Sequence, residues 1–224
     1  MSGWRRSHGM TVVLLAFAAA TTDVLSFLAL FGTFTSAMTG NTALLGLAVG
    51  QGKLAAAERS FTALAGFVAG VAVGALTRER DHRNKGICFV LGFEVVCLGV
   101  FTAIWFAVSD SREPPLVYLL IALSAVAMGL QSVAARRIDL PGIPTVVFTS
   151  TLTAIVMALV EKIVRGAPVS VEVKRQIAVF AAYLVGALLA GAAGSQAIGL
   201  LVLLPLAAVS GALASEYRLG GGAA

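Results

Sequence analysis

Long apolar runs dominate this chain, and short polar stretches separate them. A run of about 17–25 apolar residues can cross a bilayer as a helix. Two further segments, Phe34–Gly50 and Pro144–Val160, are apolar but contain several Thr and Ser residues. The pattern predicts an all-α integral membrane protein with about six transmembrane helices. The six runs are Met10–Phe31, Ser60–Leu76, Gly86–Val108, Leu116–Ala135, Gln176–Gly194 and Ala197–Ala214.

Composition supports lipid as the solvent for most of the chain. The 224 residues are 58% hydrophobic and only 12% charged, with a mean hydropathy of +0.94. A soluble domain carries about 25% charged residues, so this chain cannot form an ordinary soluble surface. The spans leave no room for a separate soluble domain, and residues 1–224 are therefore predicted to form one transmembrane domain.

The positive charges predict the topology, because cytoplasmic loops collect Lys and Arg. With six spans and both termini in the cytoplasm, only Lys53, Arg59 and Arg112 fall outside. If both Thr/Ser-rich segments crossed as well, the loop 78–85 and the pair Arg136–Arg137 would also move outside. The charge pattern therefore favours six spans in an inner membrane, with the two extra segments re-entrant or half-helical.

The net charge of +5 does not indicate a nucleic-acid partner. The basic residues stand in short loops beside the spans, without the interleaved aromatic residues that nucleic-acid binding would favour. The partners predicted from sequence are the lipid bilayer, an unidentified small molecule or ion, and possible further copies of the chain in a homo-oligomer.

An internal repeat is visible in the two polar segments. The pattern Phe34-Thr35-Ser36-x-x-Thr39 recurs as Phe148-Thr149-Ser150-x-x-Thr153. A small-residue stripe follows each copy, with Gly66, Gly70 and Gly74 after the first and Gly186, Ala190 and Gly194 after the second. Such stripes let helices approach closely, although they are common in membrane helices generally.

Three spans per half would turn the second half over relative to the first. We therefore predict two three-helix repeats, about 10–108 and about 116–214, in inverted orientation. Secondary transporters often have this plan, with the binding site where two interrupted helices meet.

Asp23 lies near the middle third of the first span, where a bare charge costs on the order of 3 kcal/mol. It is predicted to face the bundle interior. One interpretation is a proton- or cation-coupling carboxylate. The other is a structural cap, helped by Thr21 and Thr22, that binds backbone amides where the helix is interrupted.

The stretch Thr39-Gly40-Asn41-Thr42 has two similar interpretations. It can begin a half-helix whose amides point at an anionic group, or its polar side chains can satisfy a broken backbone inside the protein. From the second half, Gln131, Thr149 and Thr153 are predicted to line the same site.

Two other charged features are open to more than one interpretation. Glu94, in the third span, is either a second coupling carboxylate or the partner of a loop arginine. Arg136 and Arg137 are predicted to anchor the fourth span at the interface, with contact to phosphate or substrate as the alternative.

No catalytic chemistry can be assembled from the sequence. The chain lacks a paired-histidine motif, a phosphate-binding loop, a Gly-x-Ser-x-Gly motif and a cysteine cluster. We expect a protein that is not an enzyme and that uses no metal and no cofactor.

The polar motifs resemble those of a known family. Thr22-Asp23-Val24-Leu25-Ser26-Phe27-Leu28, followed by Phe34-Thr35-Ser36-Ala37-Met38-Thr39-Gly40-Asn41-Thr42, is similar to the YoaK-like family of bacterial membrane proteins, which has a domain-of-unknown-function label. Its second hallmark is matched by Gly129-Leu130-Gln131, then Arg136-Arg137, then Pro144-Thr145 and a Thr-rich stretch, with Ser150 where the family pattern has glycine. The resemblance covers nearly the whole chain. It implies about six or seven spans but no established substrate or reaction.

The leading hypothesis is a secondary transporter or permease for a small polar or anionic solute, with proton or cation coupling as an option. A non-transporting scaffold or assembly factor is the alternative, because small-residue stripes also suit packing against a partner. A membrane enzyme that acts on lipid is third.

Overall fold

A computed structural model describes residues 8–77, 83–108, 113–138, 148–166, 168–194 and 197–221. Within these ranges the secondary structure is helical, and no strand occurs. The helices are α1 (Gly9–Ala29), α2 (Met38–Gly50), α3 (Leu54–Leu76), α4 (Arg83–Ala107), α5 (Pro114–Ile138), α6 (Phe148–Arg165), α7 (Val171–Gly194), α8 (Ile198–Leu201) and α9 (Leu203–Gly221).

The prediction of six spans is confirmed. Six helices are long and apolar enough to cross a membrane: α1, α3, α4, α5, α7 and the α8–α9 pair, which together cover Ile198–Gly220. The break between α8 and α9 lies at Val202. Pro205 follows it and has no amide hydrogen with which to bond the carbonyl of Leu201, so the predicted irregularity of this span has a local cause.

Large apolar side chains cover the outer faces of these helices. Phe61 is 63% exposed and Leu76 is 81% exposed. In water such surfaces would promote aggregation, whereas in a bilayer they face lipid tails.

Glycines bring α3 and α5 into close contact. A Cβ on Gly70 would overlap the backbone carbonyl of Val126, and one on Gly129 would overlap the backbone carbonyl of Phe67. Gly66 lies beside Ala122, which is earlier in α5 than Val126. The contacts advance together along both helices, so α3 and α5 run parallel.

The second small-residue stripe serves the same purpose between α7 and α1. Gly186 lies against Phe17 and Ala20, and Gly194 lies against Leu28. These two helices are therefore also parallel. Five of the six stripe residues are buried inside the chain's own bundle, and Gly194 is half-buried.

α1 and α5 run in opposite directions. The Gln131 side-chain amide donates to the carbonyl oxygen of Leu15 at 2.9 Å, so the end of α5 lies beside the beginning of α1. Leu25, near the other end of α1, shares a buried cluster with Val117 and Leu120, near the beginning of α5.

The helix pairings are related by exchange of the two halves. α3 packs on α5 as α7 packs on α1, α4 packs on α5 as α9 packs on α1, and α4 packs on α9. This arrangement is compatible with two inverted three-helix repeats, and the repeat itself stays a prediction.

Neither of the two extra helices, α2 and α6, is among the six that are long and apolar enough to cross a membrane. α1 ends on the face where α3 begins, so α2 starts and ends between these points on one side. By the same geometry, α5 ends on the face where α7 begins, with α6 between them. α2 has 13 residues, about 20 Å at 1.5 Å per residue, which is shorter than the roughly 30 Å hydrocarbon core.

Candidate functional site

The loop between α1 and α2 folds back against α1 and is held by Asp23. Asp23 Oδ1 accepts hydrogen bonds from the backbone N–H groups of Thr35 at 2.9 Å and Ser36 at 2.7 Å. The Ser36 hydroxyl donates to Asp23 Oδ2 at 2.5 Å. Asp23 is only 2% exposed, so the carboxyl group supplies acceptors that water cannot supply at this position.

This geometry is that of the structural cap, one of the two interpretations of Asp23. The cap does not use Thr21 and Thr22, whose hydroxyls donate to carbonyl oxygens of α1 itself. Instead, Ser26 lies one turn after Asp23, and its Oγ is hydrogen-bonded to the Thr35 hydroxyl at 3.2 Å.

Asn41 holds the same loop from the other side. Its Oδ1 accepts from the backbone N–H of Phe34 at 3.1 Å, and its Nδ2 donates to the carbonyl of Phe34 at 2.6 Å. Asn41 is fully buried. One amide side chain therefore satisfies both backbone groups of a residue that belongs to no helix.

The packing around Phe34 explains Gly40. The Phe34 ring stacks on Phe27 with 5.0 Å between centroids. A Cβ on Gly40 would lie 3.1 Å from the Phe34 ring, which is closer than ordinary contact. Gly40 therefore lets the aromatic side chain lie against the first turn of α2.

The chain reverses after α1 through two residues with positive φ. Phe31 has a φ of 57° and Gly32 a φ of 74°. Glycine adopts this region readily, but an aromatic residue does so rarely. Phe31 also carries the Arg59 guanidinium over its ring, 5.2 Å from the centroid.

Tyr183 on α7 is a site residue that sequence reasoning missed. Its hydroxyl donates to Asp23 Oδ2 at 3.3 Å. Only the tertiary contact reveals this role. The available signal was weak: a single polar aromatic residue near Gly186, on a helix face whose small residues already indicated a close neighbour.

Three other residues predicted for the site, Thr39, Thr149 and Thr153, are exposed rather than buried beside Asp23. Thr39 is exposed at the start of α2. In α6, Thr149 and Thr153 are exposed, and the Thr153 hydroxyl donates to the Thr149 carbonyl within the helix. No contact joins this pair to Asp23 in the described structure, and their role in binding stays a prediction.

Gln131 belongs to a different part of the core. It is 5% exposed and bonds to α1 through Nε2, as described above, while Oε1 has no hydrogen-bond partner among the described residues. We call the loop of residues 30–37, held by Asp23 and Asn41, the loop clamp. The structure separates Gln131 from it and brings together Asp23, Gly40 and Asn41 among the predicted residues.

Glu94 is fully buried, and neither carboxyl oxygen has a hydrogen-bond partner among the described residues. The predicted pairing with a loop arginine is therefore not found there, and Arg78 and Arg80 lie outside the described ranges. Glu94 stands between Leu91 and Leu98 on the α4 face that joins the main buried cluster.

Arg137 binds the end of α3 rather than simply anchoring α5 at the interface. Its Nη2 donates to the carbonyls of Gly74 at 2.9 Å and Thr77 at 2.7 Å. Its Nη1 donates to the Thr77 hydroxyl at 2.8 Å and to the Gly86 carbonyl at 3.2 Å. Of these acceptors, the Thr77 carbonyl follows the end of α3, where no further helical turn supplies a donor. Arg136 is exposed.

The beginning of α1 and the end of α9 meet at a buried cluster of polar side chains. His8 Nδ1 lies 2.8 Å from Glu216 Oε1, and the Thr11 hydroxyl donates to the same oxygen at 2.5 Å. The beginning of α1 and the end of α9 therefore lie on the same face. In the described ranges no group of three or more His, Cys, Asp and Glu side chains could hold a metal ion.

Comparison with known proteins supports the membrane assignment. Residues 11–215 match the family model described as Protein of unknown function (DUF1275). The UPF0700 transmembrane protein YoaK of Bacillus subtilis (strain 168) is 34% identical over 145 residues, which are 63% of this chain and 63% of that protein. No solved structure matches. With six membrane-spanning helices and a family match over most of its length, the chain belongs to the DUF1275 family of membrane proteins.

Proposed function

We propose that the protein is a secondary transporter or permease for a small polar or anionic solute. The observation that carries the proposal is the irregular backbone of residues 30–37, folded back against α1 and held by Asp23 and Asn41. Non-helical backbone at membrane depth is tolerated where it is buried in protein or lines a polar cavity. Secondary transporters build their binding sites from such interruptions.

The beginning of α2 supports the anionic character of the solute. The amino-terminal end of a helix carries a partial positive charge and favours negative groups. Thr39 is exposed there and offers a hydroxyl donor. A solute with one negative group could bind at this end without a basic side chain.

The helix pairing supports alternating access, and the charge pattern supports the proposed orientation in the membrane. α1 and α5, the first spans of the two halves, are antiparallel. Two halves in inverted orientation, which these antiparallel spans favour, permit alternating access to a central site. The distribution of Lys and Arg supports cytoplasmic termini.

The scaffold hypothesis was based on the small-residue stripes, which could have packed against a partner protein. The stripes of small residues pack α3 against α5 and α7 against α1, so they are occupied within the chain. We therefore advance no second function.

The test is uptake into proteoliposomes under a pH gradient, with a panel of small carboxylates, phosphates, amino acids and polyols. We expect uptake of at least one solute class. For that solute, Thr39→Ala should lower the initial rate about fivefold, the effect of losing one hydrogen bond of about 1 kcal/mol.

The matched control is Thr62→Ala in α3, because the Thr62 hydroxyl bonds to a carbonyl of its own helix at Glu58. It should transport like the unmodified protein. Folded protein that moves no solute of the panel would contradict the proposed function.

A further inference from the structure

Glu94 is the buried carboxyl group that the loop clamp does not use. It lies in the middle of α4, with 0% exposure, and both oxygens lack hydrogen-bond partners among the described residues. Asp23 provides one contrast, since both of its oxygens accept hydrogen bonds. Glu216 provides another, since its Oε1 is bound by His8 and Thr11. Among these three buried carboxyl groups, Glu94 is the one that no structural contact explains.

Gln131 offers a second unpartnered acceptor in the same core. The Arg137 guanidinium contacts the Gly86 carbonyl, so the end of α5 lies beside the beginning of α4. Glu94 is about 12 Å along α4 from Gly86, and Gln131 is about 9 Å along α5 from Arg137, at 1.5 Å per residue. Both side chains therefore lie inward from this contact, toward the middle of the bundle, and the unpartnered atom of Gln131 is the acceptor Oε1.

The groups that surround Glu94 supply no positive charge at this depth. On α4 itself the same core face carries Cys97. α5 has no ionisable side chain between Tyr118 and Arg136, and Tyr118 bonds to Glu58 at the far end of the helix.

α9, which packs against α4, and α1, which packs against α5, have ionisable groups only where these are already bound or near a helix end. α7 also reaches this core through Val179, and its Tyr183 hydroxyl is bound to Asp23. On α9 the ionisable residues are Glu216, Tyr217 and Arg218. Glu216 binds His8 and Thr11, and the other two lie near the end of the helix. On α1 the ionisable residues are His8 at the start and Asp23, held by the loop.

A bare carboxylate in such surroundings is costly, because no cation or donor compensates for its lost hydration. The neutral acid removes the charge and gains a donor, and Gln131 has an unused acceptor in the same core. We propose that Glu94 is a proton-binding site in the core of the bundle. Its use in coupling transport to a proton gradient rests on the proposed function, whereas proton binding itself does not.

Infrared spectroscopy of the purified protein in lipid vesicles tests the site directly. A protonated carboxyl group in an apolar environment has a separate carbonyl stretching band, which a carboxylate lacks. We expect this band at neutral pH, its loss in Glu94→Gln, and its persistence in Asp23→Asn and Glu216→Gln. Glutamate labelled with ¹³C at the side-chain carboxyl should shift the band in the unsubstituted protein and in Glu216→Gln, so that a buried glutamate other than Glu216 is identified even if the Glu94→Gln protein does not fold.

Three outcomes would overturn the proposal. The first is a spectrum without an isotope-sensitive band in this region, and the second is a band lost in Glu216→Gln but kept in Glu94→Gln. The third is loss of the band on addition of sodium at constant pH, which would indicate a cation site instead. Because no solute is needed, a band without uptake would leave the site intact and count against the proposed function alone.

Discussion

At the scale of single residues, the polar side chains of the core fall into two kinds. Asp23, Asn41 and Arg137 bind backbone groups that helix ends and loops would otherwise leave unpaired. Glu94 binds none of these groups. The distinction matters for mutagenesis, because loss of activity after a change at Asp23 would report on the fold as much as on chemistry.

Asp23→Ala is expected to destabilise the protein by on the order of 3 kcal/mol, since it leaves the buried amides of Thr35 and Ser36 without an acceptor. Asp23→Asn keeps one acceptor oxygen and should cost less. Thermal unfolding in detergent measures both. Tyr183→Phe is the control, because it removes the 3.3 Å bond to Asp23 and leaves the clamp in place. An Asp23→Ala protein as stable as the unmodified one would contradict the role of Asp23 as a cap.

At the scale of helices, close approach rather than charge determines which pairs form. α3 and α5 meet through Gly70 and Gly129, where each backbone fills the space that a Cβ would need. This kind of packing gains dispersion energy over long contact lines, which is the main attraction available between apolar helices in lipid.

Gly70→Ala should therefore separate α3 from α5 and lower stability by about 1–3 kcal/mol, the usual cost of overpacking. The matched control is Gly92→Ala in α4, where nothing lies within 4 Å of an added Cβ. It should leave unfolding unchanged or slightly raise its midpoint, because alanine is the better helix former. Equal effects at the two positions would show that helix propensity, and not close packing, is being measured.

At the scale of the whole molecule, the helix directions specify the faces of the membrane. α3 begins where α1 ends, and α4 begins where α3 ends beside Arg137. The turn at Gly52 and the start of α4 at Asn84 therefore belong to opposite faces.

Single cysteines at Gly52 and Asn84, in a background where Cys88 and Cys97 are replaced by alanine, should react from opposite sides with a membrane-impermeant maleimide. Intact cells are expected to label position 52 and not position 84, with cytoplasmic termini. Labelling of both positions from one side would contradict six spans. Labelling of position 84 alone would keep the six spans but reverse the orientation.

The sequence predicted the spans well because apolar length alone determines them. α3 begins at Leu54, six residues before the predicted Ser60, because Glu58 and Arg59 at the membrane surface are tolerated within the helix. The interruption near Asp23 and the close packing of the glycine stripes were also predictable, since each follows from the cost of an unpaired group or a bulky contact.

The parts that could not be predicted depend on tertiary neighbours. Nothing local to Tyr183 indicates that its hydroxyl reaches Asp23. The repeat also suggested two similar segments, yet the position that corresponds to Asn41 in the second copy is Ile155, which has no side-chain donor or acceptor. An apolar residue cannot hold a loop backbone as Asn41 does, and α6 runs as a continuous helix from Phe148 to Arg165.

The neighbours of α1 also have a consequence for biogenesis. α1 packs against α5, α7 and α9, and a ribosome makes all three after it. The helices that enclose α1 are therefore synthesised late. Before Tyr183 is synthesised, the hydrogen-bond donors available to Asp23 are those of its own loop, at Thr35 and Ser36. Thr35 and Ser36 lie within 13 residues of Asp23, whereas Tyr183 lies 160 residues from it. The clamp is therefore the part of this hydrogen-bond network whose residues are synthesised first.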